Sequence, residues 1–175
     1  MKELLKPVVV LTVICVVASA LLGLTYDKTA PLIAQAEKEA SDAAMQAVVP
    51  GSTTFTELAL EGMENVLIAA KDDSGNGYAF KVKDKGFGGV YNVMVGIGND
   101  GRITGVKLLD NSETPGLGSK TGADAFTGQF PGKDKSLEGV DAVTGATISS
   151  KAFFRCVDTA YQAYEAVGEI GRAHV

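Results

Sequence analysis

The stretch YAFKVKDKGFGGVYNVMVGI, Tyr78 to Ile97, decides the fold. Tyr78, Phe80 and Val82 alternate with Ala79, Lys81 and Lys83. Beyond a glycine cluster, Tyr91, Val93, Val95 and Ile97 alternate with Asn92, Met94 and Gly96. Successive side chains of a strand point to opposite faces, so a period of two predicts strands with one buried face. Gly86-Phe87-Gly88-Gly89 between them is a turn signal. Working outward, Asn65 to Ala70 and Val106 with Leu108 are further short apolar runs. Asp73-Ser74-Gly75-Asn76-Gly77 and Asn99-Asp100-Gly101 punctuate them as turns. The expectation is an antiparallel meander of about four strands, half-buried on one face. The connections are too short for the crossovers of a parallel sheet.

Helical patterns flank this sheet. Ala30 to Val48 is rich in Ala, Glu and Gln, with Ile33, Ala36, Ala40, Ala44 and Val48 at helical spacing. Pro50-Gly51 stops it. After Asp110 the chain is loop-rich, with a short helix expected near Gly122 to Phe130. A last helix is expected from about Ile148 to Val167. Phe153, Cys156, Val157, Ala160, Tyr164 and Val167 form its apolar stripe, and Gly168 and Gly171 end it. The fold class is α+β: an antiparallel sheet with packed helices, joined to one N-terminal transmembrane helix.

That transmembrane helix is read from Pro7 to Leu24, PVVVLTVICVVASALLGL, which carries no charge. About 18 residues make roughly 27 Å of helix, enough for a hydrocarbon core. Ala18-Ser19-Ala20 resembles a signal-peptide cleavage site, but the apolar run continues through Leu21, Leu22 and Leu24. A lipoprotein signal ending at Cys15 lacks the small residues it needs in Thr12-Val13-Ile14. An uncleaved anchor in membrane lipid is the expectation. Lys2 and Lys6 precede it, so the positive-inside rule puts the N-terminus in the cytoplasm and the main domain outside. The organisation expected is a cytoplasmic N-terminus (1–6), an anchor (7–25), a juxtamembrane helix (26–50) and an extracytoplasmic domain (51–175).

Composition narrows the chemistry. The net charge is −5 with no basic stripe, which argues against nucleic-acid binding. The two cysteines, Cys15 and Cys156, form neither a CxxC pair nor a metal spacing. The sole histidine, His174, is next to last. Histidine catalysis and a zinc site are therefore not expected, and no catalytic residue is assigned. Hard chemistry would belong to a cofactor.

Two loops invite one. Thr144-Gly145-Ala146-Thr147 precedes the last helix. The first N–H groups of a helix lack internal partners and attract phosphate, and Gly145 and Ala146 leave space for it. The plainer reading is a helix cap at Thr147 or Ser149 with a turn at Gly145. The second loop is Ser112-Glu113-Thr114-Pro115-Gly116-Leu117-Gly118, where Leu117 is an isolated apolar residue able to pack on a flat ring. A phosphate site and a ring site are the two halves that a flavin mononucleotide needs. A threonine nucleophile is a weak third reading. No histidine is near, although Lys151 shares a helix face with Thr147.

Asp141-Ala142-Val143-Thr144-Gly145-Ala146-Thr147 resembles the attachment motif of domains that carry FMN on a threonine through a phosphoester bond. Glu113 to Gly118, ETPGLG, and the Gly86 to Gly89 cluster extend the likeness. With the anchor and the short chain, the sequence resembles the G subunits of Rnf-type ion-translocating electron-transport complexes. The C subunit of the sodium-pumping NADH:quinone reductase is a longer relative. The resemblance implies FMN held on Thr147, with Thr144, Gly145 and Ala146 around its phosphate. Glu113, Thr114, Leu117 and Gly118 would lie by the ring. Asp141 would be read by a magnesium-dependent flavin transferase that uses FAD as donor. It further implies one-electron relay between membrane partner subunits, in a complex that couples ferredoxin and NAD to sodium or proton pumping. The chain alone would turn over no substrate. A stand-alone tethered flavoprotein and a non-redox binding module are the competing classes.

Overall fold

A computed structural model describes residues 2–60 and 62–173. His174 lies outside the described residues. The chain divides into two compact units, Met1–Ala40 and Ser41–Val175. The boundary falls inside one continuous helix, α1, Lys2–Val48.

In the first unit the apolar side chains from Val8 to Leu24 are exposed. The hydroxyls of Thr12 and Thr25 donate to the carbonyls of Val8 and Leu21, so these polar groups are satisfied within the helix. By length and composition α1 is able to cross a membrane.

The second unit is built on a five-stranded antiparallel meander in the order β1-β2-β3-β4-β5. The strands are β1 (Phe55–Glu57), β2 (Val66–Asp72), β3 (Gly77–Lys85), β4 (Val90–Gly98) and β5 (Ile103–Asn111). Phe80 pairs with Val95 and Val82 with Val93, so the apolar series of both central strands lies on one face. That face packs against α3, Thr147–Ala173, through Phe153, Cys156, Val157 and Ala160. Phe126 of α2 (Asp124–Thr127) and Phe130 meet Phe153 edge-on and tilted, with centroids 5.2 and 5.0 Å away.

The opposite face is covered too, which corrects the expectation of a sheet half-buried on one side. Ala44, Met45 and Val48, at the end of α1, and Val49 just beyond it pack on Ala70, Ala79 and Met94. Small residues let the helix come close. A Cβ on Gly96 would collide with the Val48 carbonyl oxygen, and one on Gly105 would stand 2.9 Å from Val48 Cα. Thr104 Oγ1 donates to that same carbonyl at 2.5 Å.

Other differences are local. β1 is a three-residue edge strand, too short to carry a readable alternation. The short helix expected near Gly122 to Phe130 is α2, and an unexpected 3-10 turn, Gly118–Gly122, precedes it. α3 does not stop at Gly168 but runs to Ala173. Gly168 stays out of the left-handed conformation that a helix-ending glycine adopts.

Candidate functional site

The start of α3 is shaped by a β-turn. Ala146 N donates to the Val143 carbonyl at 3.0 Å, and Gly145 has φ +80° at the turn position that requires it. The helix ladder begins at Ala146, whose carbonyl accepts from Ser150 N at 2.9 Å and Ser150 Oγ at 3.0 Å. Ser150 Oγ also accepts from Val143 N at 3.0 Å. Neither Thr147 nor Ser149 is the helix cap that the plainer sequence reading expected. Thr147 is the first helical residue and exposed, and the Ser149 hydroxyl is spent elsewhere. Among the described residues nothing accepts from the N–H groups of Thr147, Ile148 or Ser149. They remain the positive, unpartnered end of a long helix.

The loop that follows β5 comes to this helix end. Thr147, Ile148, Ser149, Gly145 and Ala146 form one wall of a cavity of about 350 Å³, and Glu113, Thr114, Leu117, Gly118 and Phe87 form the other. Two sequence-separated loops thus meet, and the turn between β3 and β4 joins them. A Cβ on Gly145 would lie 4.0 Å from Leu117 Cδ2, so the leucine stands over the glycine. Leu117, Ile148 and Phe87 are 51%, 54% and 69% exposed, which leaves an apolar rim open to solvent.

Hydrogen bonds fix the loops. Glu113 is buried, and its Oε1 accepts from Phe87 N at 2.8 Å and Gly88 N at 3.3 Å. Its Oε2 accepts from Ser149 Oγ at 2.7 Å. Thr121 Oγ1 donates to the Gly118 carbonyl at 2.7 Å, and its one proton is then used. The buried Tyr91 hydroxyl must therefore donate to Thr121 Oγ1. Burial holds the Tyr91 hydroxyl well above the usual phenol range, so it keeps that proton.

Of the residues singled out from sequence, Thr147, Gly145, Ala146, Glu113, Thr114, Leu117 and Gly118 line the cavity. Thr144 is exposed on the turn beside it, outside the lining. Asp141 is also outside. The Gln129 side chain clasps its backbone, accepting from Asp141 N at 2.8 Å and donating to its carbonyl at 3.4 Å, and the Asp141 carboxylate faces solvent. Lys151 is exposed one turn beyond Thr147. Cys156 is fully buried in the core, and burial, with Asp84 nearby, pushes its thiol up to about 12. Sequence reasoning missed Phe87, Ile148 and Ser149. Phe87 was visible as a lone aromatic in a glycine loop, by the logic that selected Leu117; Ser149 had no such signal.

The site fits a flavin nucleotide on its own chemistry. Unpartnered helix N–H groups suit a phosphate, an exposed hydroxyl stands beside them, and apolar side chains rim the space for a ring. A family model for an FMN-binding domain matches residues 86–162. The chain is 38% identical to the G subunit of the ion-translocating oxidoreductase complex of Methanosarcina acetivorans, over 86% of this chain and 89% of that protein. It is 32% identical to the G subunit of the Na(+)-translocating ferredoxin:NAD(+) oxidoreductase complex of Acetobacterium woodii, covering 94% and 93%. The proton-translocating counterpart of Clostridium ljungdahlii is 30% identical, covering 87% and 86%. Among solved structures, NqrC of Shewanella oneidensis superposes with a TM-score of 0.47 at 20% identity over 67% of each chain. The site thus sits in the FMN-binding domain of a chain that belongs to the family of G subunits of ion-translocating oxidoreductase complexes.

Proposed function

We propose that this chain is the membrane-anchored electron-transfer component of an ion-translocating ferredoxin:NAD oxidoreductase complex, with FMN carried covalently on Thr147. The observation that carries this reading is the exposed Thr147 side chain at the open end of α3, facing the Glu113–Gly118 loop across one cavity. A bound flavin would supply electron relay, one or two electrons at a time, between redox partners.

The residues of the chain do the rest. Thr147 Oγ1 would hold the ribityl phosphate as an ester. The N–H groups of Thr147, Ile148 and Ser149 would offset its charge. Leu117, Phe87 and Ile148 would pack on the ring and exclude water. Thr114 offers a hydroxyl at the ring side of the cavity. Attachment would form the O–P bond at Thr147 Oγ1 and break the pyrophosphate bond of an FAD donor, with AMP as leaving group and the threonine proton passing to solvent or the transferase. Such a tether keeps a cofactor that would be lost by diffusion outside the cytoplasm. The distribution of Lys2 and Lys6 supports a cytoplasmic N-terminus and an external main domain.

The test is in-gel flavin fluorescence after full denaturation, with the chain co-expressed with a flavin transferase. A fluorescent band that peptide mapping assigns to Thr147 supports the reading. A dark band from transferase-containing cells returns the Thr144–Thr147 turn to a purely structural role.

A further inference from the structure

Glu113 has no cationic partner among the described residues. Burying a carboxyl group is costly unless its oxygens are hydrogen-bonded, and an apolar side chain would fill the same space without that cost. The chain instead empties the surroundings to admit it. A Cβ on Gly86 would strike Oε1, one on Gly118 would strike Oε2, and one on Gly88 would strike the neighbouring Ser112 carbonyl. These glycines form a socket. The three donors inside it, Phe87 N, Gly88 N and Ser149 Oγ, come from two separate elements, the β3–β4 turn and the first turn of α3. Both oxygens are taken by the protein.

We propose that Glu113 is a positioning residue. Its carboxyl group braces the Phe87 turn against the start of α3, which sets the separation between the apolar wall for the ring and the threonine that carries the phosphate. The proposal rests on the flavin reading above, but the brace itself is a property of the protein alone. A ring tethered only through a flexible ribityl chain is free to swing. Holding it at one orientation requires that wall and tether be fixed relative to each other. Glutamine reproduces most of the brace, because its amide oxygen accepts from Phe87 N and Gly88 N and its NH₂ donates to Ser149 Oγ. Alanine reproduces none.

The experiment is hydrogen–deuterium exchange on the full chain in detergent, without flavin, followed in the peptide containing Phe87 and Gly88. Glu113→Ala is expected to speed exchange there by about tenfold or more, while β4 and the middle of α3 stay protected. Glu113→Gln is expected to remain within about threefold of wild type. In flavin-loaded protein, Glu113→Ala is expected to keep a fluorescent band in SDS and lose native-state flavin anisotropy, and Glu113→Gln to restore it. If Glu113→Ala unfolds the domain, Ser149→Ala removes one arm only and is expected to lower the anisotropy in a domain that still folds, with the melting temperature reduced by the unpartnered Glu113 Oε2. Unchanged Phe87 and Gly88 exchange in Glu113→Ala, or unchanged anisotropy in Ser149→Ala where that variant must be used, overturns the proposal. A wild-type band that is dark in SDS overturns the flavin reading instead, and leaves the exchange result to decide the brace.

Discussion

Val48, the last residue of α1, receives a hydrogen bond on its carbonyl from Thr104 Oγ1 of β5 at 2.5 Å, directly above Gly96 of β4. This junction seats the end of α1 on the sheet. Gly96→Ala places a methyl group against that carbonyl. It should cost about 1–3 kcal/mol by overpacking. Thermal melting of the detergent-solubilised chain measures it, and an unchanged melting temperature would show that the helix end is not held there.

Thr147→Ala should abolish covalent flavin and leave the fold within about 0.5 kcal/mol of wild type, because the side chain is exposed and makes no hydrogen bond among the described residues. Thr147→Ser keeps a hydroxyl and should retain part of the label. Retained covalent flavin in the alanine variant would falsify the attachment site.

Leu117→Ala removes an exposed side chain, so stability should change by less than about 0.5 kcal/mol. The flavin band in SDS should persist. Iodide quenching of the native flavin should increase, since the leucine no longer shields the ring. Equal quenching in the two proteins would place the ring elsewhere.

Alkaline stability has a defined sign. Burial raises Cys156 from its ordinary value of 9.0 to about 12, and Tyr161 from 10.0 to about 12. Both groups are held neutral by the fold. Their contribution is complete below pH 9 and is lost as pH rises toward 12. Chemical denaturation midpoints should therefore fall steadily across that window. A flat profile to pH 12 would contradict it. For the same reason Cys156 should resist thiol reagents at about pH 8 until the protein is unfolded.

Orientation can be read with one introduced cysteine. Ser74 is exposed on the β2–β3 turn. Ser74→Cys should react with a membrane-impermeant maleimide in intact cells. Labelling only after the cells are permeabilised would place the main domain in the cytoplasm.

The sheet was legible because Phe80, Val82, Val93 and Val95 alternate with polar or small partners over long runs. Its second buried face was not. Lys81 and Lys83 on that face read as solvent, yet Ala79 and Met94 beside them are fully buried under α1. The covering residues lie far away in sequence, and periodicity reports only that a face is mixed. The site was legible in its parts, since Gly145 and Leu117 each carry a local oddity. The bond between Ser149 and Glu113 spans 36 residues and leaves no local trace. The start of α3 was displaced by one residue because Thr147 looked like a cap while Ala146 takes that place. Gly168 misled because a glycine ends a helix only where the backbone turns left-handed.

The meander has a consequence for biogenesis. Each strand pairs only with its neighbours in the chain, so the hairpins can close in the order in which they are synthesised. The helix that completes the core through Phe153, Cys156 and Val157 is made after all five strands. Until it docks, Glu113 lacks Ser149 and Leu117 has no turn beneath it. A chain without α3 therefore lacks one wall of the cavity, and its other wall lacks the bond that braces it. Whatever the cavity takes up can therefore enter only once this helix has docked, so occupancy would report a finished domain.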